Sequence, residues 1–196
     1  MFDRRPDQDH SPAAAAKAGR GLAALQTAGV GLAMFVLAWG ALTLIHYTGR
    51  VAPVWPANAV VLACLLRADG RRWPGFVLAA LVGNLAADLL IGDTPAMAIG
   101  LSFANTMEIV IGACGLRRLV GREVDLTRRR DLLTFALIPG FAAPLLSALF
   151  AMSWLRAPIN ASTAPSLITW MLADALGVVI IVPALLAITR AALRDL

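Results

Sequence analysis

Charge is what this sequence has least of. Of 196 residues, 15% are Asp, Glu, Lys or Arg and 59% are apolar, for a mean hydropathy of +0.75. Soluble domains carry roughly 25% charged residues, so a soluble enzyme, a disordered chain and a coiled coil are excluded. Lysine is nearly missing: Lys17 stands alone against sixteen Arg, and this bias with abundant Ala fits a GC-rich bacterial genome. The two cysteines, Cys64 and Cys114, lie inside apolar runs, too few for a disulfide framework or a structural zinc site. Both are expected to be inert packing residues. Histidine occurs only as His10 and His46, neither in a His-Glu-x-x-His pattern, and no Gly-x-Ser-x-Gly or phosphate-binding glycine loop is present. Asp88 and Asp174 fall on different apolar segments, as in an intramembrane aspartyl protease. Asp174, however, sits in Leu172-Ala173-Asp174-Ala175-Leu176-Gly177, without the Gly-x-Gly-Asp context. The chain is expected to be non-catalytic, with no cofactor and no metal.

What remains is organised by membrane physics. Residues 21–49 contain no charged side chain, more than the roughly 20 residues that a bilayer-crossing helix needs. Further apolar segments run over 51–66, 73–91, 94–116, 132–155 and 166–189. In hydrocarbon every backbone polar group needs an internal partner. The predicted fold class is therefore all-α, a polytopic membrane bundle of six spans with a short, broken second span. With the N-terminus inside, fifteen of the seventeen basic residues fall on the cytoplasmic side, leaving only Arg50 and Arg156 outside. That is a strong positive-inside signal, placing both termini in the cytoplasm and the chain, multi-pass, in a bacterial inner membrane. A pI near 10.5 then reflects topology, and no nucleic-acid partner is expected.

The first apolar run is too long for a signal peptide, and Asp3, Asp7 and Asp9 argue against a mitochondrial transit peptide. Asn160-Ala161-Ser162 is a sequon on the outer side, relevant only in a eukaryote. The expected organisation is a cytoplasmic polar tail over 1–20, a transmembrane domain over 21–190, and over 191–196 the start of a cytoplasmic helix leading to an output domain. Arg190-Ala191-Ala192-Leu193-Arg194 reads as helix that continues without a Gly or Pro stop.

Proline marks where the bundle departs from regularity. In Trp55-Pro56-Ala57-Asn58 the proline belongs at a first helical position. A helix from Pro56 to Ala68 is only about 20 Å long, short of a hydrocarbon core of about 30 Å. Residues 49–55 should therefore enter the outer leaflet as non-helical chain, buried in protein or lining a wet cavity. Pro139-Gly140 and Pro144 in the fifth span, and Pro183 in the sixth, each free a carbonyl four residues earlier and can kink the helix.

Intramembrane acids are functional candidates because they are costly. There are three, Asp88, Glu108 and Asp174, accompanied by Asn58, Asn84 and Asn105. Asn84 and Asp88 share a face of the third span, as do Asn105 and Glu108 of the fourth. Gly100, Ala104 and Gly112 continue that row as small residues suited to close helix approach. Asp174 lies between Trp170 and Gly177. Counting from the outer ends puts Asp88 shallow, Asp174 deeper and Glu108 near the middle. The sequence thus predicts an outward-facing polar cavity lined by Asn58, Asn84, Asp88, Asn105, Glu108, Trp170 and Asp174, with the positive end of the second helix aimed into it. No Lys or Arg lies inside a span; His46, Arg50 and Arg156 are the nearest candidates, all at the outer edge. Glu108 and Asp174 are then protonated, hydrogen-bonded to amides, or matched by a bound cation or amine. The plainer role for each polar residue is an interhelical hydrogen bond, worth under about 1 kcal/mol. Trp73 and Trp154 read as interfacial anchors, and Arg128-Arg129-Arg130 as a topology signal that also attracts anionic lipid.

The same residues carry a family resemblance. Trp55-Pro56-Ala57-Asn58-Ala59-Val60, then Arg71-Arg72-Trp73-Pro74-Gly75, Gly83-Asn84, Asn105 with Glu108, and finally Trp170, Asp174-Ala175-Leu176-Gly177 and Pro183 resemble the bacterial membrane-associated sensor domain of the MASE family, type one, over residues 25–190. Family members are usually predicted to carry more spans than the six counted here. The resemblance implies an integral-membrane input module N-terminal to a cytoplasmic diguanylate cyclase, phosphodiesterase or histidine kinase, with Trp55, Pro56, Asn58, Asn84, Asn105, Glu108, Asp174 and Gly177 as pattern positions. The expected function is a sensory input domain, in a homodimeric receptor within the lipid bilayer, that binds a small ligand, cationic or an amine, and signals through its C-terminal helix. The rival reading is the solute-binding subunit of a transporter, and a third is a passive scaffold.

Overall fold

A computed structural model describes residues 12–48, 54–155 and 164–194; Arg50, Arg156 and the Asn160 sequon lie outside them, as does the side chain of His46. The described residues form seven α-helices and no strand: α1 (Pro12–Thr48), α2 (Pro56–Arg67), α3 (Trp73–Ile91), α4 (Pro95–Leu119), α5 (Arg129–Leu137), α6 (Ala143–Trp154) and α7 (Ala164–Arg194). Five helical stretches are long and apolar enough to cross a membrane: Gly19–Leu44, Gly70–Ile91, Pro95–Leu119, Arg129–Trp154 and Ser166–Ile188. With the short apolar α2 they make up the six expected segments, and the protein is a multi-pass membrane bundle. α1 begins at Pro12, ahead of the first apolar stretch, because Ala13-Ala14-Ala15-Ala16 combines high helix propensity with a proline at the helix start.

α2 is the innermost element although it is the shortest segment. It starts at Pro56, after an extended Trp55, and eight of its twelve residues are buried. It packs against α1, α3, α4 and α7. Its entry strand is tied to α7 by a 2.9 Å bond from the Trp55 N–H to the Ala173 carbonyl. Gly177 permits this approach, since a Cβ there would collide with the Trp55 carbonyl oxygen. The same device holds α1 against α3, where a Cβ on Gly83 would strike the Gly31 carbonyl. On α4 the small-residue row does what its spacing suggests. Gly100 lies under the Trp154 ring, Ala104 packs with Ala151 and Met152, and a Cβ on Gly112 would sit 3.1 Å from Pro139.

The fifth span is one apolar stretch with a wide turn in its middle. Between α5 and α6, residues Ile138–Ala142 form a π-helical turn in which the Ala143 N–H reaches back to the Ile138 carbonyl. Pro139 and Pro144 supply no N–H of their own, so the regular ladder cannot run through this point. α7 by contrast carries Pro183 without interruption.

Among the described residues, Arg67, Arg72, Arg117, Arg122 and Arg130 gather where α2 and α4 end and α3 and α5 begin, the clustering that positive-inside topology expects. Arg117 donates to the carbonyls of Ala68 (2.9 Å) and Leu65 (3.3 Å) at the C-terminal end of α2, and its guanidinium stacks 5.1 Å from the centre of the Trp73 ring. Cations at this helix end complement its dipole. Trp73 itself donates to the Leu65 carbonyl, and Trp154 to that of Ala96. Both tryptophans thus have defined acceptors besides the interfacial position expected of them. Arg67 donates to the Leu185 carbonyl on α7, Arg72 to Gln26 and Arg130 to the Leu119 carbonyl. Asp69, exposed between α2 and α3, caps the turn over Gly70–Arg72. The Arg71 N–H, and then Arg122 nearby, hold its carboxyl below the usual range. Cys64 and Cys114 are half-buried free thiols.

Candidate functional site

The bundle gathers every intramembrane polar residue singled out above into two adjoining clusters. The first is a ladder of amides across three helices. Asn58 on α2 donates to Asn105 Oδ1 on α4 (3.2 Å), and Asn105 donates to Asn84 Oδ1 on α3 (3.2 Å). Asn84 in turn donates to Asp88 Oδ2 (2.8 Å) and to Ser102 Oγ (2.9 Å), while the Ser102 hydroxyl also reaches Asp88 Oδ2 (2.9 Å). The shared face of Asn84 and Asp88, read from their spacing, is thus a direct bond. Asn84 and Asn105 each both give and receive, as a buried network must to repay desolvation, while Asn58 only gives.

The second cluster is built around two acids. Glu108 on α4 and Asp174 on α7 face each other, with Asn58 from α2 and Ser147 from α6 also flanking the Glu108 carboxyl. Trp170, one turn before Asp174, lies beside its carboxyl. These groups lie within reach of one another. Both Glu108 oxygens, Asp174 Oδ2, Asn58 Oδ1, Ser147 Oγ and Trp170 Nε1 are all buried without a partner. Two carboxyls in contact in a low-dielectric interior cannot both carry unbalanced charge. Among the described residues, Arg71, Arg72, Arg117, Arg118, Arg129 and Arg130 stand at the ends of the membrane stretches that contain them.

Asn58 belongs to both clusters and joins them. Asn105 and Glu108, which share a face of α4 by their spacing, meet different partners across it, because residues three apart on a helix point about 60° from each other. The side chains of Asn58, Asn84, Asp88, Asn105, Glu108 and Asp174 are between 0 and 4% exposed. They are packed between helices rather than lining an open bowl, since the small faces of α3, α4 and α7 bring the backbones close. Trp170 is half-buried. Ser102 and Ser147 were not among the expected residues. Ser102 had a legible signal, standing three before Asn105 on the same face; Ser147 is one hydroxyl in an apolar helix and carried none. No group of three or more metal-type His, Cys, Asp or Glu ligands occurs among the described residues.

The comparisons with known proteins agree with this architecture. The MASE1 family model matches residues 24–195. The chain is 30% identical over 159 residues to the probable diguanylate cyclase DgcE of Escherichia coli (strain K12). That alignment covers 81% of this chain and 14% of the relative, so the chain corresponds to a small part of the larger protein. No solved structure matches. With the family match running from the middle of α1 to beyond the end of α7, the chain belongs to the MASE1 family of membrane-associated sensor domains.

Proposed function

We propose that this domain is the sensory input module of a bacterial inner-membrane receptor whose cytoplasmic output is a cyclic-di-GMP enzyme or a histidine kinase. A ligand binds at the polar clusters, contacting Asn58, Asn84, Asp88, Asn105, Glu108, Trp170 and Asp174. The resulting shift passes along α7 to the output domain of a homodimer. Residues 21–190 act as the sensor, and the helix entering 191–196 is the connection. The kinship with a probable diguanylate cyclase supports the kind of output.

The observation that carries this reading is how α2 holds α7. At one end the Trp55 N–H binds the Ala173 carbonyl, next to Asp174, and Trp55 packs on Gly177. At the other end Arg67 binds the Leu185 carbonyl. Pro183 lies between these two attachments, in a helix that runs on to Arg194. α2 is thus a buried strut bridging the polar clusters and the part of α7 beyond the proline. A change at Glu108 or Asp174 that moves α7 against α2 has a direct route to the C-terminal helix. Binding biases output only through unequal affinity for two such arrangements. The transporter-subunit alternative has no observation of its own in its favour.

The test is output from the full receptor in membranes, read as cyclic-di-GMP synthesis or as autophosphorylation. Glu108→Gln and Asp174→Asn are expected to lock output at one level while the protein reaches the membrane in normal amount. Normal output and normal response in both variants would show that the site is misassigned.

A further inference from the structure

From the second cluster we infer the chemical class of the ligand: a hard metal cation, stripped of most of its water and held by side-chain oxygens alone between Glu108 and Asp174. This rests on the sensory reading above and deepens it. Four side chains from four different helices converge there: Asn58 of α2, Glu108 of α4, Ser147 of α6 and Asp174 of α7. Together they present five oxygens buried without a partner, namely Glu108 Oε1 and Oε2, Asp174 Oδ2, Asn58 Oδ1 and Ser147 Oγ. The set contains carboxylate, amide and hydroxyl oxygen but no imidazole or thiolate, the donors that hard cations prefer and that zinc and copper do not.

Charge and space narrow the class further. Two ionised carboxylates balance one calcium ion; one sodium ion is balanced if a single proton stays on the pair. Magnesium retains several waters and demands octahedral geometry, which suits this dry interior poorly. The four side chains are no more than 3% exposed, and such close packing favours a compact ion over an organic amine. The adjoining ladder supplies the contrast. It has comparable burial, yet Asn84, Asn105, Ser102 and Asp88 are joined by mutual bonds. A bundle that satisfies one polar cluster from its own side chains leaves oxygens of the other unpartnered. Because the site draws one ligand from each of four helices, including both α2 and α7, cation occupancy would draw these helices together. That is the motion the strut arrangement transmits.

The experiment uses the full receptor in lipid nanodiscs, freed of metal by chelation and exchanged into choline chloride. Its thermal unfolding midpoint is then followed against calcium chloride, sodium chloride, magnesium chloride and methylammonium chloride, with radioactive calcium or sodium giving the stoichiometry. Calcium or sodium is expected to raise the midpoint by about 5–10 °C at a hundredfold excess over its dissociation constant, with one ion per chain. Glu108→Gln and Asp174→Asn should each abolish the response. Ser147→Ala, a milder change, should move the half-maximal concentration about tenfold upward, while Asp69→Asn, a change to an exposed acid outside the bundle, should leave it unaltered. Indifference to both metals, a response to methylammonium alone, or a full metal response in Glu108→Gln would each overturn the assignment. Output measured in parallel separates the two levels. If no ion binds but Glu108→Gln still alters output, the cation fails and the sensory reading stands. If the ion binds and output ignores it, the sensory reading fails.

Discussion

The amide ladder and the acid pair are neighbours in one bundle, equally buried and joined through Asn58, yet they are built on opposite terms. Along Asn58, Asn105, Asn84, Asp88 and Ser102, donors meet acceptors at 2.8 to 3.2 Å. Around Glu108 and Asp174, two carboxyls face each other, and both Glu108 oxygens, Asp174 Oδ2, the Ser147 hydroxyl and the Trp170 N–H are buried without a partner. A satisfied network makes a unique packing and gains nothing from a further group. An unsatisfied one carries the cost of burial until something positive arrives. The ladder ties α2, α3 and α4 through satisfied bonds, whereas the pair brings α4, α6 and α7 together without them; on the reading proposed above, the pair is where an input acts.

Substitutions sharpen this contrast. The largest effects should come from the two glycines at helix contacts. Gly83→Leu forces α3 from α1, and Gly177→Leu forces Trp55 from α7. Each should cost about 3 kcal/mol of unfolding free energy in a detergent titration. Of the two, only Gly177→Leu should also uncouple output, since it alone breaks the attachment of α2 to α7. If Gly83→Leu uncouples output equally, the division of labour is wrong. Next comes Asn105→Leu, which removes bonds to both Asn58 and Asn84. It should cost about 1–2 kcal/mol in the same titration.

A smaller loss, about 1 kcal/mol, is expected for Arg117→Met, which gives up two carbonyl bonds and the stack on Trp73 at the Arg-rich end. The smallest belongs to Ser147→Ala. Its hydroxyl is buried but bonded to nothing, so in metal-free buffer the change should stay within about 0.5 kcal/mol. A large cost there would mean that the hydroxyl already has a structural partner, and the two clusters would no longer differ in kind.

Much of the frame was legible in the sequence because it follows from solvent. The absence of charge marked the spans, the arginines marked one end, and Pro56 fixed the start of α2. The kink at Pro139-Gly140 was expected, though its π-helical form was not. What stayed illegible is what depends on partners distant along the chain. Asn58 and Asn105 stand 47 residues apart, and Asn84 and Asn105 stand 21 apart; spacing within one helix shows only that a face is polar. For the same reason the shared face of Asn105 and Glu108 did not show that different neighbouring helices would meet each of them. The role of Gly177 was hidden as well, since nothing local indicates that the Trp55 backbone will lie against it. Ser147 gave no signal because a lone hydroxyl on an apolar helix is ordinary until three other side chains converge on it.

The central claim, that the ladder holds the bundle and the acid pair does not, is tested most directly by one paired measurement. Unfolding free energies of Asn84→Leu and Glu108→Gln are compared with the parent in the same metal-free bilayer mimic at neutral pH. Asn84→Leu removes a residue bonded to Asp88, Ser102 and Asn105, and should lose about 2 kcal/mol or more. Glu108→Gln replaces an unmatched acid by a neutral group of the same shape, and should lose nothing or gain stability. A Glu108→Gln protein that unfolds far more easily than Asn84→Leu would contradict the account, by showing that the acid pair itself holds the helices together.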